Sequence, residues 1–280
     1  MENLIQGVEK AIFKTVCNSP RRLTPADLQN KMTLTYGFSR KQIRKALSVL
    51  IDHGDLVYSY QFGCTFIEKS FDSAVRISGR VILKPPNVTF YPAKDDIVVA
   101  IQKGVSFGNG AHPTTRLAIM GIEQALSGKE RWPLKKECRA IDIGTGSGVL
   151  CITAVRFGIA SAVGIDIDPC ATSEARQNVS FNNLQNRITI SNASLSVFTE
   201  KFFLIIANLR YPTLKTICPE IAAHAQESGF IVLSGIKNFE VGDLLKTYTD
   251  TCFDLLWKFE EKDWSSLVLQ KKIPIMDNAG

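Results

Sequence analysis

Apolar positions at the start of the chain recur at helical spacing. Leu4, Ile5, Val8, Ile12, Phe13 and Val16 share one face, and Pro20 ends the pattern. Thr24-Pro25 reads as an N-cap followed by proline at the first helical position, leading into Leu28 and Met32. Ser39 caps a third predicted helix with the apolar face Ile43, Leu47, Leu50 and Ile51, and Gly54 stops it. Two β-rich runs follow, Leu56 to Tyr60 and Cys64 to Ile67, with Gly63 at the turn between them. Residues 71–105 stay β-leaning: Val75, Ile77, Val81 and Leu83 suggest one strand region, Pro85-Pro86 interrupts it, and Ile97 to Ile101 resumes it.

From about residue 115 helical and strand patterns alternate. Leu117 to Leu126 reads as a helix, Ala140 to Ile143 as a strand, Val149 to Phe157 as a helix and Ala162 to Ile165 as a strand. Pro169 to Asn183 is helical, Ile188 to Ile190 and Phe203 to Ala207 are strands, and Leu214 to Ala225 is one helix. Phe230 to Leu233 is a strand and Val241 to Tyr248 a helix; Phe253 to Phe259 and Ser266 to Gln270 form a late antiparallel pair. Such alternation builds a mostly parallel sheet covered on both faces. The predicted layout is a small α+β domain over 1–70, a β-rich connecting segment over 71–104, an α/β domain over 105–272 and a tail over 273–280.

Three helices followed by a hairpin resemble a winged helix-turn-helix. The third helix would be the recognition helix, with Arg40, Lys41, Arg44 and Lys45 off its apolar face and able to contact phosphates. The alternative is a solvated basic face used for protein contacts or for a homodimer. Charge changes the picture here. Of the net +6, residues 1–80 carry +5, from 12 Lys and Arg against 7 Asp and Glu. A basic first quarter suits nucleic acid or an acidic protein.

Composition narrows the remaining classes. With 280 residues, 45% of them hydrophobic, the chain can build one large domain and a small one. No apolar run approaches the roughly 18 residues of a membrane span, and the first residues lack a signal-peptide layout. Seven cysteines without a Cys-x-x-Cys pair read as free thiols in a reducing compartment. Three separated histidines at 53, 112 and 224 give a metal site little to draw on. These features predict a cytoplasmic protein with no membrane contact and no metal.

The chemistry gathers at Asp142-Ile-Gly144-Thr-Gly146-Ser-Gly148, directly after a strand and before a helix. Gly144 and Gly146 permit positive φ and let a ligand lie against the backbone. The following helix offers a positive dipole end. Gly164-Ile-Asp166 ends the next strand, 22 residues after Gly144, where a carboxylate suits ribose hydroxyls. A dinucleotide fingerprint needs a third glycine where Val149 stands. Asp142 would also repel a pyrophosphate but suits an ammonium. S-adenosylmethionine has a ribose, an ammonium, a carboxylate and no phosphate, so it is favoured over NAD.

These residues resemble class I methyltransferases. The upstream Val105-Ser-Phe-Gly-Asn-Gly-Ala-His-Pro-Thr-Thr115 is similar to the signature of the PrmA family, methyltransferases of a large-subunit ribosomal stalk protein. Ile205-Ile-Ala-Asn208-Leu209 and Leu233-Ser-Gly-Ile236 are also similar to that family, and the resemblance runs from about residue 80 to 272. It implies a Rossmann-like, mostly parallel sheet with an antiparallel edge strand, and methyl transfer from S-adenosylmethionine. By position, Thr114, Thr115, Asp142, Gly144, Gly146, Gly148, Asp166, Ile167 and Asn208 would contact that cofactor. The threonine loop would close over its methionine end. His112 reads as part of a rigid turn.

Asn208 opens the loop to Tyr211, where amino-group methyltransferases hold the acceptor nitrogen between a side-chain carbonyl and a backbone carbonyl. A flat acceptor could stack on Tyr211, and Arg210 could meet an acidic substrate or reach solvent. Leu209-Arg210 replaces the double proline common in such loops. Asn192 and Ser194 stand where many relatives place an acid near the adenine. The family's own N-terminal substrate domain is ferredoxin-like, unlike residues 1–70. Three functions therefore compete: a protein N-methyltransferase acting by direct displacement, a nucleic-acid methyltransferase docking through residues 1–70, and a DNA-binding regulator that senses S-adenosylmethionine.

Overall fold

Capping residues set where the early helices begin. In this computed structural model, which describes residues 2–19, 21–61, 63–70, 73–102, 104, 112–127 and 137–273, helix α1 is Glu2–Asn18, α2 Pro25–Tyr36 and α3 Arg40–Asp52. Thr24 and Asp27 form a reciprocal capping box on α2, and Ser39 and Gln42 form another on α3. Strands β1 (Leu56–Gln61) and β2 (Cys64–Lys69) pair antiparallel, with Leu56 opposite Lys69. Val8 and Ile12, Leu28 and Met32, Ile43, Leu47 and Leu50, and Ile67 close one small core. The chain divides into two compact units, Met1–Ser73 and Ala74–Gly280, and this core belongs to the first.

The second unit opens with a three-stranded sheet. β3 (Val75–Arg76) pairs antiparallel with β4 (Val81–Lys84), and β5 (Ile97–Ala100) pairs parallel with β4. Helix α4 (Pro113–Leu126) leads to the main sheet. The alternating segments are β6 (Arg139–Ile143), α5 (Val149–Arg156), β7 (Ser161–Ile165), α6 (Pro169–Phe181), β8 (Ile188–Ser191) and β9 (Phe202–Asn208). They continue with α7 (Tyr211–Thr216), α8 (Cys218–His224), β10 (Ala225–Lys237), α9 (Val241–Thr251), β11 (Phe253–Glu261) and β12 (Trp264–Lys271). The seven strands lie in the order β11-β12-β10-β9-β6-β7-β8. All neighbours from β10 to β8 are parallel, and β12 runs antiparallel between β10 and β11. Strand order reverses at β6 and β9, so the crevice of this open α/β sheet lies at their carboxyl ends.

One local detail differs from the sequence pattern. The helix expected over Leu214 to Ala225 is two short helices broken at Ile217. Pro219 has no N–H for the carbonyl four residues back, so the first helix cannot continue. The late hairpin forms the expected antiparallel edge of the sheet, with β12 between β10 and the outer strand β11.

Two buried asparagines, Asn178 on α6 and Asn182 capping its end, fasten the small sheet to the large one. Asn182 accepts from the Ala100 N–H at 3.0 Å and donates to the Ala100 and Asn178 carbonyls at 2.7 and 2.8 Å. Asn178 accepts from the Gln102 N–H at 2.9 Å and donates to the Ser147 carbonyl at 2.9 Å. The chain leading to α4 and the glycine turn between β6 and α5 thus hang on one helix face. Replacing Asn182 with alanine strands two buried backbone groups of Ala100. Asn182→Ala should destabilise the second unit by about 2 kcal/mol. Its thermal midpoint should drop by roughly 4–8 °C, measured by calorimetry.

Candidate functional site

Strand β6 ends in Asp142 and Ile143, and the chain then turns through three glycines with φ of +72°, +54° and +79° at Gly144, Gly146 and Gly148. L-residues with a Cβ seldom adopt that conformation. The turn curls toward β7. Gly144 and Thr145 both donate to the Ile165 carbonyl at 2.9 Å, Gly146 donates to Asp166 Oδ2 at 2.9 Å, and Gly148 donates to the Thr145 carbonyl. These four N–H groups are used inside the chain, so they form no phosphate cradle.

Asp142 has no exposure to solvent. Its Oδ2 accepts from Thr145 Oγ1 at 2.7 Å and from the Cys151 N–H at 3.2 Å. Its Oδ1 has no partner. Burial pushes the carboxyl up to about 6 against the pull of the Thr145 and Cys151 bonds, and the Asp166 charge adds to the rise. Gly164 stands opposite Asp142 in register. A Cβ there would lie 2.8 Å from Thr145 Oγ1, the group that holds Asp142.

Asp166 is half-buried and fixed by two backbone N–H groups, Gly146 on Oδ2 and Asp168 on Oδ1 at 3.0 Å. Ile167 beside it is 92% exposed. Asn192 is exposed, and Ser194 pairs with Ser196 at 2.7 Å.

At the start of α4, His112 is the N-cap. Its Nδ1 accepts from the Thr114 N–H at 3.3 Å and lies 2.8 Å from Thr114 Oγ1. Its ring sits edge-on to Trp264 at 5.2 Å. Thr114 and Thr115 are both buried, but only the Thr115 hydroxyl lacks a partner. Among the described residues, Thr115 Oγ1 and Asp142 Oδ1 are the two buried side-chain polar atoms without a hydrogen bond. Buried groups are seldom left so. Both lie on residues the sequence assigns to one ligand, and a hydroxyl and a carboxylate fit the ammonium and carboxylate of an amino acid moiety. The segment 105–111 of the threonine motif lies outside the described residues.

Asn208 ends β9 opposite Ser234 on β10. The Leu209 N–H donates to the Ser234 carbonyl at 3.1 Å, and the Leu209 side chain lies where a Cβ on Gly144 would fall. The Asn208 turn therefore rests against the glycine turn. Ser234 also donates from Oγ to the Thr114 carbonyl at 2.8 Å, joining the α4 start to the same place. Arg210 is exposed. Tyr211 is half-buried and donates its hydroxyl to Asp243 on α9, where Lys215 Nζ also lies 2.6 Å from the same carboxylate. That bond to Asp243 raises the Tyr211 phenol above its ordinary range. Lys215 approaches the Tyr211 ring at 5.8 Å.

The structure thus gathers the glycine turn, Asp142, Asp166, the two threonines and Asn208 around the carboxyl ends of β6, β7 and β9. Arg40, Lys41, Arg44 and Lys45 lie exposed on α3 in the other unit. Sequence reasoning did not assign Ser234, Gly235, Asn178 or Asn182 to the site. Ser234 and Gly235 were visible as a motif without a role, and the asparagines as polar residues within a helical pattern. Among the described residues no three His, Cys, Asp or Glu side chains converge on a metal position.

Comparison with known proteins agrees with this architecture. The family model for ribosomal protein L11 methyltransferase (PrmA) matches residues 67–272. A ribosomal protein L11 methyltransferase of Geobacter sp. (strain M21) is 31% identical over 203 residues, covering 71% of this chain and 64% of its own length. That of Heliobacterium modesticaldum is 28% identical and covers 72% of this chain and 62% of its own. The chain thus spans less than two thirds of the length of these relatives. The crystal structure of the ribosomal protein L11 methylase from Lactobacillus delbrueckii subsp. bulgaricus superposes with a TM-score of 0.63 at 28% identity, covering 72% of this chain and 100% of that one. The fold is that of class I methyltransferases, and S-adenosylmethionine is the methyl donor that fold and family imply. On these matches the chain belongs to the ribosomal protein L11 methyltransferase (PrmA) family.

Proposed function

We propose that this chain is an S-adenosylmethionine-dependent methyltransferase that N-methylates a protein, with ribosomal protein L11 the first substrate to test. The observation that carries the reading is the pair of unpartnered buried atoms, Asp142 Oδ1 and Thr115 Oγ1, beside the glycine turn. When bound, the cofactor supplies an electrophilic methyl group on a sulfonium. Asp142 would hold its ammonium, Thr115 its carboxylate and Asp166 its ribose. The turn at Gly144, Gly146 and Gly148 would leave room for it, and Ile167 would flank the adenine. Thr114 is the weaker choice of threonine, since its hydroxyl already bonds His112. Asn208 orients the acceptor nitrogen, and Tyr211 flanks it with its ring.

Bound there, S-adenosylmethionine would supply the methyl group and leave as a neutral thioether; the acceptor amine would have to arrive neutral, with its lone pair free, and would give its proton to water. Asn208 contributes orientation rather than charge. The seven cysteines are free thiols, which suits a reducing, cytoplasmic setting.

A second reading concerns the first unit, which we take as winged-helix-like. Arg40, Lys41, Arg44 and Lys45 are exposed, and among the described residues none forms an ion pair. They occupy the first turns of α3, where the helix dipole disfavours cations, and Arg40/Arg44 and Lys41/Lys45 are like-charged neighbours. Helix stability argues against this arrangement. A polyanion favours it, so nucleic acid is the partner proposed for that face.

Labelled methyl transfer into cell extract and into purified L11 tests the first reading. Label lost with protease and kept with nuclease supports it. Label lost only with nuclease makes nucleic acid the substrate, and no macromolecular label points to a cofactor-sensing regulator. Asn208→Ala should lower kcat about 100-fold with little change in cofactor affinity. Asp166→Ala should weaken cofactor binding roughly 10- to 100-fold, measured by calorimetry.

The pH dependence follows from Asp142. Its folded carboxyl, near 6, lies above its ordinary 3.8. Its contribution to stability is therefore full below about pH 4 and lost as pH rises through 6. The cofactor-free protein should lose on the order of 3 kcal/mol across that window. Asp142→Asn should flatten the profile in urea titrations. Cofactor affinity should instead rise through pH 6 in the wild type and stay low and flat in Asp142→Asn.

Changing all four α3 cations to glutamine should weaken binding of a duplex oligonucleotide. The slope of log affinity on log salt should shrink by about 3 to 4. Unchanged binding would remove the nucleic-acid reading, and loss of a dimer in sedimentation would put a homodimer in its place.

A further inference from the structure

Gly235 follows Ser234 on β10 with φ +85°. A Cβ on it would lie 2.3 Å from the Leu209 carbonyl oxygen, 2.9 Å from the Leu209 carbonyl carbon and 3.2 Å from Asn208 Oδ1. Two acceptor oxygens from consecutive residues thus converge on one point that only a glycine leaves open. Among the described residues neither oxygen accepts a hydrogen bond from the chain. The turn carrying them is held from below. The Leu209 N–H is tied to the Ser234 carbonyl, and the Ser234 hydroxyl, fully buried, is tied to the Thr114 carbonyl.

We propose that Gly235, with Ser234 beneath it, is a positioning residue that sets Leu209 O and Asn208 Oδ1 as a two-point clamp for a primary amine. The inference rests on the N-methyltransferase reading and adds residues to it. A neutral primary amine has two N–H donors and one lone pair in tetrahedral arrangement. When both donors are engaged, the lone pair has a single direction left. A methyl group at Gly235 occupies the space beside both oxygens, so either the amine is excluded or the turn shifts. A shift also moves Leu209 off Gly144 and pulls on the α4 start through Ser234. Displacement of a reacting atom by about 1 Å is enough for a 100-fold loss of rate.

The test compares Gly235→Ala with Gly158→Ala. Gly158 has φ +113° and nothing within 4 Å of its would-be Cβ, so its variant carries backbone strain without a neighbour. Three quantities are read: the S-adenosylmethionine dissociation constant, kcat with an amine acceptor, and binding of butylamine to protein loaded with S-adenosylhomocysteine. Gly235→Ala should keep cofactor affinity within about twofold while kcat falls about 100-fold and butylamine binding is lost. Gly158→Ala should change none of the three beyond twofold. Equal kcat in Gly235→Ala and wild type overturns the proposal, as does a parallel loss of cofactor affinity. If the wild type methylates no amine, the proposed function fails and butylamine still decides. Binding to wild type alone supports the clamp, and equal binding to both or to neither refutes it.

Discussion

A carboxylate held out of water at the end of a central strand is the constraint around which the site is arranged. Ionised carboxylates are costly to bury, and Asp142 has solvent on neither oxygen. Thr145 and Cys151 satisfy one oxygen, and the glycine turn must fold back tightly enough to bring them there. Gly164 on the neighbouring strand has no side chain, so the Thr145 hydroxyl has room. Asp166, at the end of that strand, then catches the next N–H of the turn. One buried charge thus explains the glycines, the threonine and the register between β6 and β7.

The parts of this arrangement that follow from local chemistry were legible in the sequence. Capping residues placed α2 and α3, and the apolar alternation placed the parallel strands. The Asp142 to Gly148 run marked the turn after β6 because its three glycines take positive φ, which the local sequence alone can announce. What was not legible depends on contacts far apart in the chain. Asn178 and Asn182 look like ordinary polar residues in a helix, and their partners at Ala100 and Gln102 lie about eighty positions earlier. Leu214, Ile217 and Ile221 keep a helical period across Pro219, but the proline breaks the helix all the same. Gly235 was part of a recognisable motif, but the oxygens it accommodates belong to the end of β9 and the turn after it.

Ser234 joins what the sequence presents as separate pieces. Its carbonyl holds the turn after β9, its hydroxyl holds the start of α4, and its strand packs between β9 and β12. The start of α4 and the turn after β9 therefore share one rigid reference in the middle of the sheet. Sites built on strands and helix ends keep their geometry better than sites built on loops alone.

The internal use of the glycine-turn N–H groups bears on how this scaffold can be redesigned. A turn of similar sequence in dinucleotide enzymes leaves its N–H groups pointing at a pyrophosphate. Here Gly144 and Thr145 are committed to Ile165, and Gly146 to Asp166. Neutralising Asp142 removes the repulsion of a phosphate but frees none of those donors. Converting the scaffold to a nucleotide-phosphate binder therefore requires re-pairing the ends of two strands, and point changes in the glycine motif leave its ligand class in place.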